Sequence, residues 1–316
     1  MKRVVSVSIG SSSRNHRVET ELLGEPFVIE RIGTDGDLRR AIDLVRELDG
    51  KVDAFGLGGI DLYIYSGQCR YRFRDAQRIA SAARITPIVD GSGLKNSLER
   101  WVVNYVDEET DIRLKGKRVL IVVAVDRFGM ADAFTQLGCQ MTFGDLVFGL
   151  GVPVGLHSPS SLEMVARVLA PVVVQLPFKL LYPTGSKQEK VSPRYDRFFE
   201  WAEVIAGDFH YIRRYMPKHL DGKIVMTNTV TVENVDEIRS RGAATLITTT
   251  PDFGGRSFGT NVLEAALVVL SGKRVDDIGP ADYLELIEKL GFQPRIERFS
   301  AQAAPSGSPR PAFVGI

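Results

Sequence analysis

The feature that most constrains this chain is an alternation that recurs along it: a short run of β-branched residues, a turn, then a segment with apolar residues at helical spacing. VVSVSI (4–9) is the first run and FVIERIG (27–33) the second. The turn TDGD leads into LRRAIDLVRELDG, where Leu38, Ile42, Val45 and Leu48 recur at helical spacing and Gly50 caps the helix. VDAFGLGG (52–59) reads as a strand with a glycine-rich exit, DAQRIASAAR as a helix, TPIVDGSG as a strand and turn, and NSLERWVVNYV as a helix. Strands alternating with helices predict a mainly parallel sheet, because each crossover helix returns the chain to the edge where it began.

The polar stretch DEETDIRLKGK looks like a boundary. Six strand candidates follow it: VLIVVAV, CQMTFGD, PVVVQLP, AEVIAGDF, GKIVMTNT and ATLITTTP. Helical segments such as SLEMVARVL, YIRRYMP and ENVDEIRSRG lie between most of them. Six parallel strands with helical crossovers predict a doubly wound, Rossmann-like sheet. The expectation is therefore two α/β domains. Residues 1–112 form a substrate domain and 113–272 a dinucleotide-binding domain; 273–295 are a helical segment, and the Ser-, Ala- and Pro-rich 296–316 a disordered tail.

Composition removes several function classes. Forty basic and 39 acidic residues give a net charge of +1, which offers no footprint for nucleic acid. No apolar run reaches the length of a membrane span, and the N-terminus lacks the apolar core of a signal peptide. Two cysteines, Cys69 and Cys139, without metal-ligand spacing suit a reduced, cytoplasmic protein. His16, His157, His210 and His219 form no H-E-x-x-H or other metal pattern. There is no G-x-S-x-G elbow and no P-loop. The expected partner is a small-molecule substrate, and a homo-oligomer stays open.

The stretch VLIVVAVDRFGMADAFTQLG starts like a dinucleotide unit: a buried strand, a turn, and a helix over 130–137 that Gly138 ends. With Gly129 as the third glycine of G-x-G-x-x-G, the first two positions hold Ala124 and Asp126. Asp126 brings bulk and negative charge where the backbone should approach two phosphates. The helix N-terminus still favours an anion, and Arg127 offers to offset the charge or grip a phosphate. Asp145 ends the second strand about 20 residues on, where a ribose-binding acid is expected, and favours NAD over NADP. The opposing reading is that Asp126 and Asp145 merely cap the elements that follow them.

Ligands of parallel sheets bind at the carboxyl ends of the strands, so the polar residues there are candidates. GSSSRNH after the first strand brings Ser11, Ser12, Ser13, Arg14, Asn15 and His16, which suit a carboxylate or polyol. Gly56, Gly58 and Gly59 precede Asp61, Tyr63 and Tyr65. Asp90 ends a strand, and Lys95 near the start of the next helix is a lysine–acid pair able to exchange protons. In the second half the candidates are Tyr182, Thr184, Lys187 and Gln188, then Asp208 and His210, Asn228 and Thr229, and Thr249, Asp252 and Arg256.

With those residues in view, the layout resembles the shikimate and quinate dehydrogenases. The segments GLGGIDLY, DGSGLKN, AVDRFGMA, LYPTG, TNTVT and TTTPDFGGRSFGTN are similar to a bacterial group described as quinate 5-dehydrogenases, over roughly residues 1–290. The resemblance implies an NAD(P)-dependent oxidoreductase acting on a cyclic polyol acid such as quinate. Ser11 and Ser13 match the family's substrate-binding Ser-x-Ser, Lys95 its lysine after Thr86-Pro87 at a longer spacing, and Asn104 in VVNYV its substrate-binding asparagine. The family's Asn-Thr-Asp triplet is absent, so Asp90 would serve as the acid beside Lys95. Asp126, Arg127, Gly129, Asp145, Asn228 and Thr249 would face NAD or NADP. A non-redox metabolite-binding or regulatory protein on the same scaffold is the alternative, and Asp126 favours it. A third reading moves acid–base work to Tyr182, Lys187, His210 and Asp252, on a phosphorylated or acidic substrate.

Overall fold

The computed structural model describes residues 1–66, 69–177, 194–228, 230–250 and 259–299. The first sheet has the order β2-β3-β1-β4-β7, built from β1 (Lys2–Ser8), β2 (His16–Leu22), β3 (Glu25–Gly33), β4 (Ala54–Gly58) and β7 (Ile88–Val89). All neighbours are parallel except β2, which folds back on β3. β2 alternates half-buried and exposed residues, as a one-sided edge strand does, and it lies where a Ser-rich turn alone was expected. Helix α1 (Leu38–Leu48) starts on the Asp37 carboxylate, which accepts from the Arg39 and Arg40 amides. Helix α2 (Arg74–Ala80) follows a small hairpin of β5 (Tyr63–Ser66) and β6 (Cys69–Arg72).

Helix α3 (Ser92–Glu109) joins the two halves. Its buried stripe of Leu94, Leu98, Val102 and Val106 packs in one core with Met130 and Phe134 of α4 (Phe128–Gln136) and Tyr283 and Ile287 of α10 (Pro280–Lys289). α3 thus shares its core with the second half, although the sequence boundary near 112 allots it to the first.

The second sheet has six strands in the order β13-β12-β11-β10-β8-β9. β8 (Arg118–Ile121), β9 (Gln140–Phe143), β10 (Val204–Gly207), β11 (Ile224–Thr227) and β12 (Thr245–Thr248) are parallel; β13 (Arg295–Arg298) closes the edge antiparallel to β12. The fold is α/β with a doubly wound, mostly parallel six-stranded sheet. One expected strand is corrected. PVVVQLP is the end of helix α5 (Pro159–Val173) and the turn after it. Ser158 caps α5 in a capping box, Pro159 takes the first helical position, and Leu162, Ala166 and Ala170 bury at four-residue spacing. The β-branched run is held as helix because Ala170 and Val174 pack into the core of the first sheet, where Arg74 N–H donates to the Val174 carbonyl at 3.0 Å. The sixth strand is instead β13, so the boundary drawn at 295/296 falls inside an element.

Helices α6 (Asp196–Trp201), α7 (Phe209–Tyr215) and α8 (Val232–Ser240) complete the second half, and α9 (Thr260–Ser271) returns to lie on β4 and β1 of the first sheet. Among the described residues no helix is long and apolar enough to cross a membrane.

Candidate functional site

β9 and β10 flank β8, so the chain order reverses between β8 and β10. That switch point opens a crevice at the carboxyl ends of the two strands, the usual ligand position in such sheets. Asp126 follows β8 there and Asp208 follows β10. The first sheet brings up its own strand end opposite. Gly58 and Gly59 leave β4, and an added Cβ at Gly59 would stand 3.0 Å from the Gly10 amide nitrogen. Asp61 comes two residues later.

Lys95, on the first turn of α3, reaches between the two. Its Nζ donates to Asp61 Oδ1 at 2.7 Å and to Asp126 Oδ1 at 3.0 Å, with all three side chains under one-fifth exposed. Arg127 lies behind, 2% exposed. It pairs with Glu99, with Asp208 Oδ2 at 2.8 Å and, through Nε, with Asp126 Oδ2 at 3.1 Å. Asn228 Nδ2 donates to the same Asp208 oxygen at 2.8 Å, and its Oδ1 accepts from the Phe209 amide at 3.1 Å. Lys95 and Glu99 are four apart on α3, so one helix face supplies a cation and an anion to one network.

Burial alone would lower the Lys95 pKa, but Asp126 and then Asp61 outweigh it and hold the ammonium protonated. Burial, then the charge of Asp126, push Asp61 up. Burial acts the same way on Asp126, yet Lys95 and Arg127 prevail and keep it ionised. Asp208 likewise falls to about 2, against burial, under the pull of Arg127 and His210. The Tyr211 phenol is raised by burial, then by the charges of Asp126, Asp208 and Asp61. Tyr63, Tyr65, Ser92 and Asn96 line the rest of the cleft, whose free volume of about 10 Å³ holds roughly one water.

Several expected roles are corrected by this geometry. Asp90 does not pair with Lys95. It accepts from the Leu62, Tyr63 and Ser92 amides at 2.6, 3.2 and 3.0 Å, tying the Asp61 loop to the start of α3. Arg127 is enclosed by carboxylates and has no free edge for a phosphate. Asp145 is buried and accepts from the Ala124 and Val125 amides at 3.1 and 3.0 Å; burial pushes it up to about 6. It clamps the β8–α4 turn rather than presenting itself to a ribose. At Gly129 an added Cβ would collide with the Asn96 carbonyl, so this glycine serves a helix–helix crossing. Thr249 is fully buried, its amide donating to the Thr227 carbonyl at 2.8 Å. Asn104 sits nine residues beyond Lys95, roughly 13 Å along α3 and on the opposite face. Tyr182, Thr184, Lys187, Gln188, Thr229, Asp252 and Arg256 lie outside the described residues.

Ser11 and Ser13 join hydroxyl to hydroxyl at 2.8 Å in a single 3₁₀ turn after β1. Beside them lies a feature the sequence hid. A Cβ at Gly10 would stand 3.0 Å from both Arg14 and Arg31 guanidinium nitrogens, so the two cations converge on one point. Arg31 donates to the Ser11 carbonyl at 3.0 Å and to Ser8 Oγ at 2.9 Å. Burial, then the charge of Arg14, lower it to about 10. Asp61, a strand-end candidate given no role by the sequence, completes the site together with Glu99 and Tyr211, which were not marked. The four-residue spacing of Lys95 and Glu99 was the one readable signal.

The β8–α4 turn is filled from three sides. Asp126 fills the close-approach position, Asp145 takes two of the turn's amides, and α3 covers the flank at Gly129.

The family described as a domain of unknown function, DUF8754, matches residues 93–299. The chain belongs to the DUF8754 family. A second domain of unknown function, DUF8753, matches residues 3–90, so the two matches meet at the turn before α3. No curated protein matches the sequence. Among solved structures, this DUF8754 chain is similar to a galactofuranose binding protein (11% identity, 92% of this chain and 99% of the other, TM-score 0.36). It is similar as well to an NAD-dependent malic enzyme from Thermotoga maritima (11%, 92% and 84%, 0.36). L-tryptophan dehydrogenase from Nostoc punctiforme is a third (11%, 92% and 80%, 0.37). Likenesses this distant say nothing of the chain's chemistry.

Proposed function

We propose that the cleft is an acid–base site that acts on a small hydroxylated carboxylic acid. The observation that carries this is Lys95 held between Asp61 and Asp126 where the carboxyl ends of both sheets meet. A lysine kept as an ammonium is a hydrogen-bond donor to a substrate hydroxyl or carbonyl oxygen and stabilises negative charge that develops on it. Asp61, raised by burial, is the group suited to take or return the proton. Asp126 and Arg127 fix the lysine from behind. The substrate's carboxylate is assigned to Arg14 and Arg31 with Ser11 and Ser13. The Gly10–Gly59 contact brings the loop that carries the anchor to within about 10 Å of the Asp61 backbone, since two residues span at most about 7 Å. Quinate is the first candidate, and the cleft, which has room for roughly one water, must widen to take it. An exposed, unpaired Cys69 suits a reducing compartment, and cytoplasmic location is part of the proposal.

A nicotinamide-dependent oxidoreductase is the second reading, favoured by the doubly wound sheet whose switch-point crevice opens on Lys95. Incubation in deuterated buffer of quinate with and without NAD, and of the ring ketone that its oxidation gives, whose C–H bonds α to the carbonyl can exchange, followed by proton NMR, tests both. Conversion or C–H exchange lost in Lys95→Ala and in Asp61→Asn, and binding weakened about tenfold in Arg14→Ala, is expected. Turnover that survives Lys95→Ala and Asp61→Asn sinks the assignment. NAD-dependent conversion selects the second reading.

A further inference from the structure

The β8–α4 turn has the parts of an anion seat, and an anion of the protein's own sits in it. Three positive features converge there: the N-terminus of α4, the Lys95 ammonium and Arg127 Nε. Asp126 answers the two side chains, one carboxylate oxygen to each, at 3.0 and 3.1 Å. No side chain caps α4, so Asp126, two residues before its first turn, stands near the positive end of the helix dipole. The amides of Ala124 and Val125 go to Asp145, and Gly129 is closed against α3. A phosphate seat of this kind requires the backbone to approach closely at the position Asp126 holds. Around it stand Asp61, Asp126, Asp208 and Glu99 against Lys95 and Arg127.

We infer that Asp126 is the resident anion of this turn: it bars phosphate-bearing ligands, dinucleotides among them, from the switch-point crevice and leaves it to neutral or cationic groups. A ligand phosphate would meet the Asp126 carboxylate at contact distance, and the repulsion of like charges at low dielectric weakens binding by orders of magnitude. The inference goes beyond the acid–base reading and does not depend on it, because Lys95 and Asp61 handle a proton whatever lies at the turn.

The test is titration of the wild type, Asp126→Asn and Asp126→Gly with NADH, read by nicotinamide fluorescence, and with inorganic pyrophosphate, read by calorimetry. Circular dichroism checks the fold of each. Asp126→Asn removes charge and keeps size, leaving the Lys95 ammonium and the α4 N-terminus to an incoming anion; Asp126→Gly adds room. The wild type is expected to show no saturable binding up to millimolar concentrations, and the variants to gain about tenfold or more for pyrophosphate. Micromolar NADH binding by the wild type overturns the inference while leaving the acid–base reading intact in its hydride-transfer form. Folded variants that bind pyrophosphate no better than wild type overturn it as well. If neither variant folds, the wild-type NADH titration decides alone.

Discussion

Glu264→Gln should make the protein's stability less dependent on pH, by an amount the structure fixes. Glu264 lies on α9, 3% exposed, against the start of α3. The Tyr283 hydroxyl donates to its Oε1 at 2.8 Å. Burial, then the charge of Asp90, raise its pKa from 4.5 to about 7 against the Tyr283 bond. The folded protein therefore holds a proton that the unfolded chain releases from pH 4.5 upward. A raised folded-state pKa means stability fully present below pH 4.5 and lost as pH rises to about 7. At 1.36 kcal/mol per pK unit the loss is about 3 kcal/mol across that window. Glutamine copies the neutral acid and cannot titrate. Urea unfolding of both proteins at pH 5, 6, 7 and 8 gives a difference that should move steadily in favour of Glu264→Gln and level off above 7. Asp145, raised to about 6, adds a slope of the same sign below that pH, but it is present in both proteins and drops out of the difference. Parallel pH profiles would falsify the reasoning, because they would mean that Glu264 is ionised in the folded state.

Two further outcomes follow from packing and from charge. Gly129→Ala drives a methyl into the Asn96 carbonyl, a backbone group that moves only if α3 and α4 part, so a loss of about 1–3 kcal/mol is expected in urea unfolding; an unchanged midpoint would show that the crossing gives freely. Arg127→Met strips the counterion from the buried Glu99 and from Asp126 and Asp208, at an expected cost of about 3–5 kcal/mol, which Glu99→Gln in the same chain should partly restore. No change on Arg127→Met would mean that the acids find water or protons without it.

Local sequence was enough where an element's own residues determine its partner. β-branched runs marked β1, β3, β4, β8 and β10 to β12, and helical spacing with Asp37 ahead of it marked α1, because burying one face or two is written in the period of the apolar residues. The same locality placed Lys95, Asp126 and Asp208 at strand ends before any contact was known. It failed for PVVVQLP, whose β-branched composition suits a strand but whose last turn is held in α5 by the hairpin strand β5 and the start of α2, about 100 residues away in sequence. It missed β2 and β13, edge strands with little apolar surface to signal them. The site shows the same division. Proximity along the chain suggested Asp90 for Lys95, but the start of α3 spends Asp90 on three backbone amides, and two other strand ends deliver Asp61 and Asp126. The sequence by itself therefore determined which residues could do chemistry and at which edge of a sheet they stand. Only the tertiary structure decided which of them meet, because a charge pair is set by the distance between strand ends in space, and the local pattern carries no record of that distance.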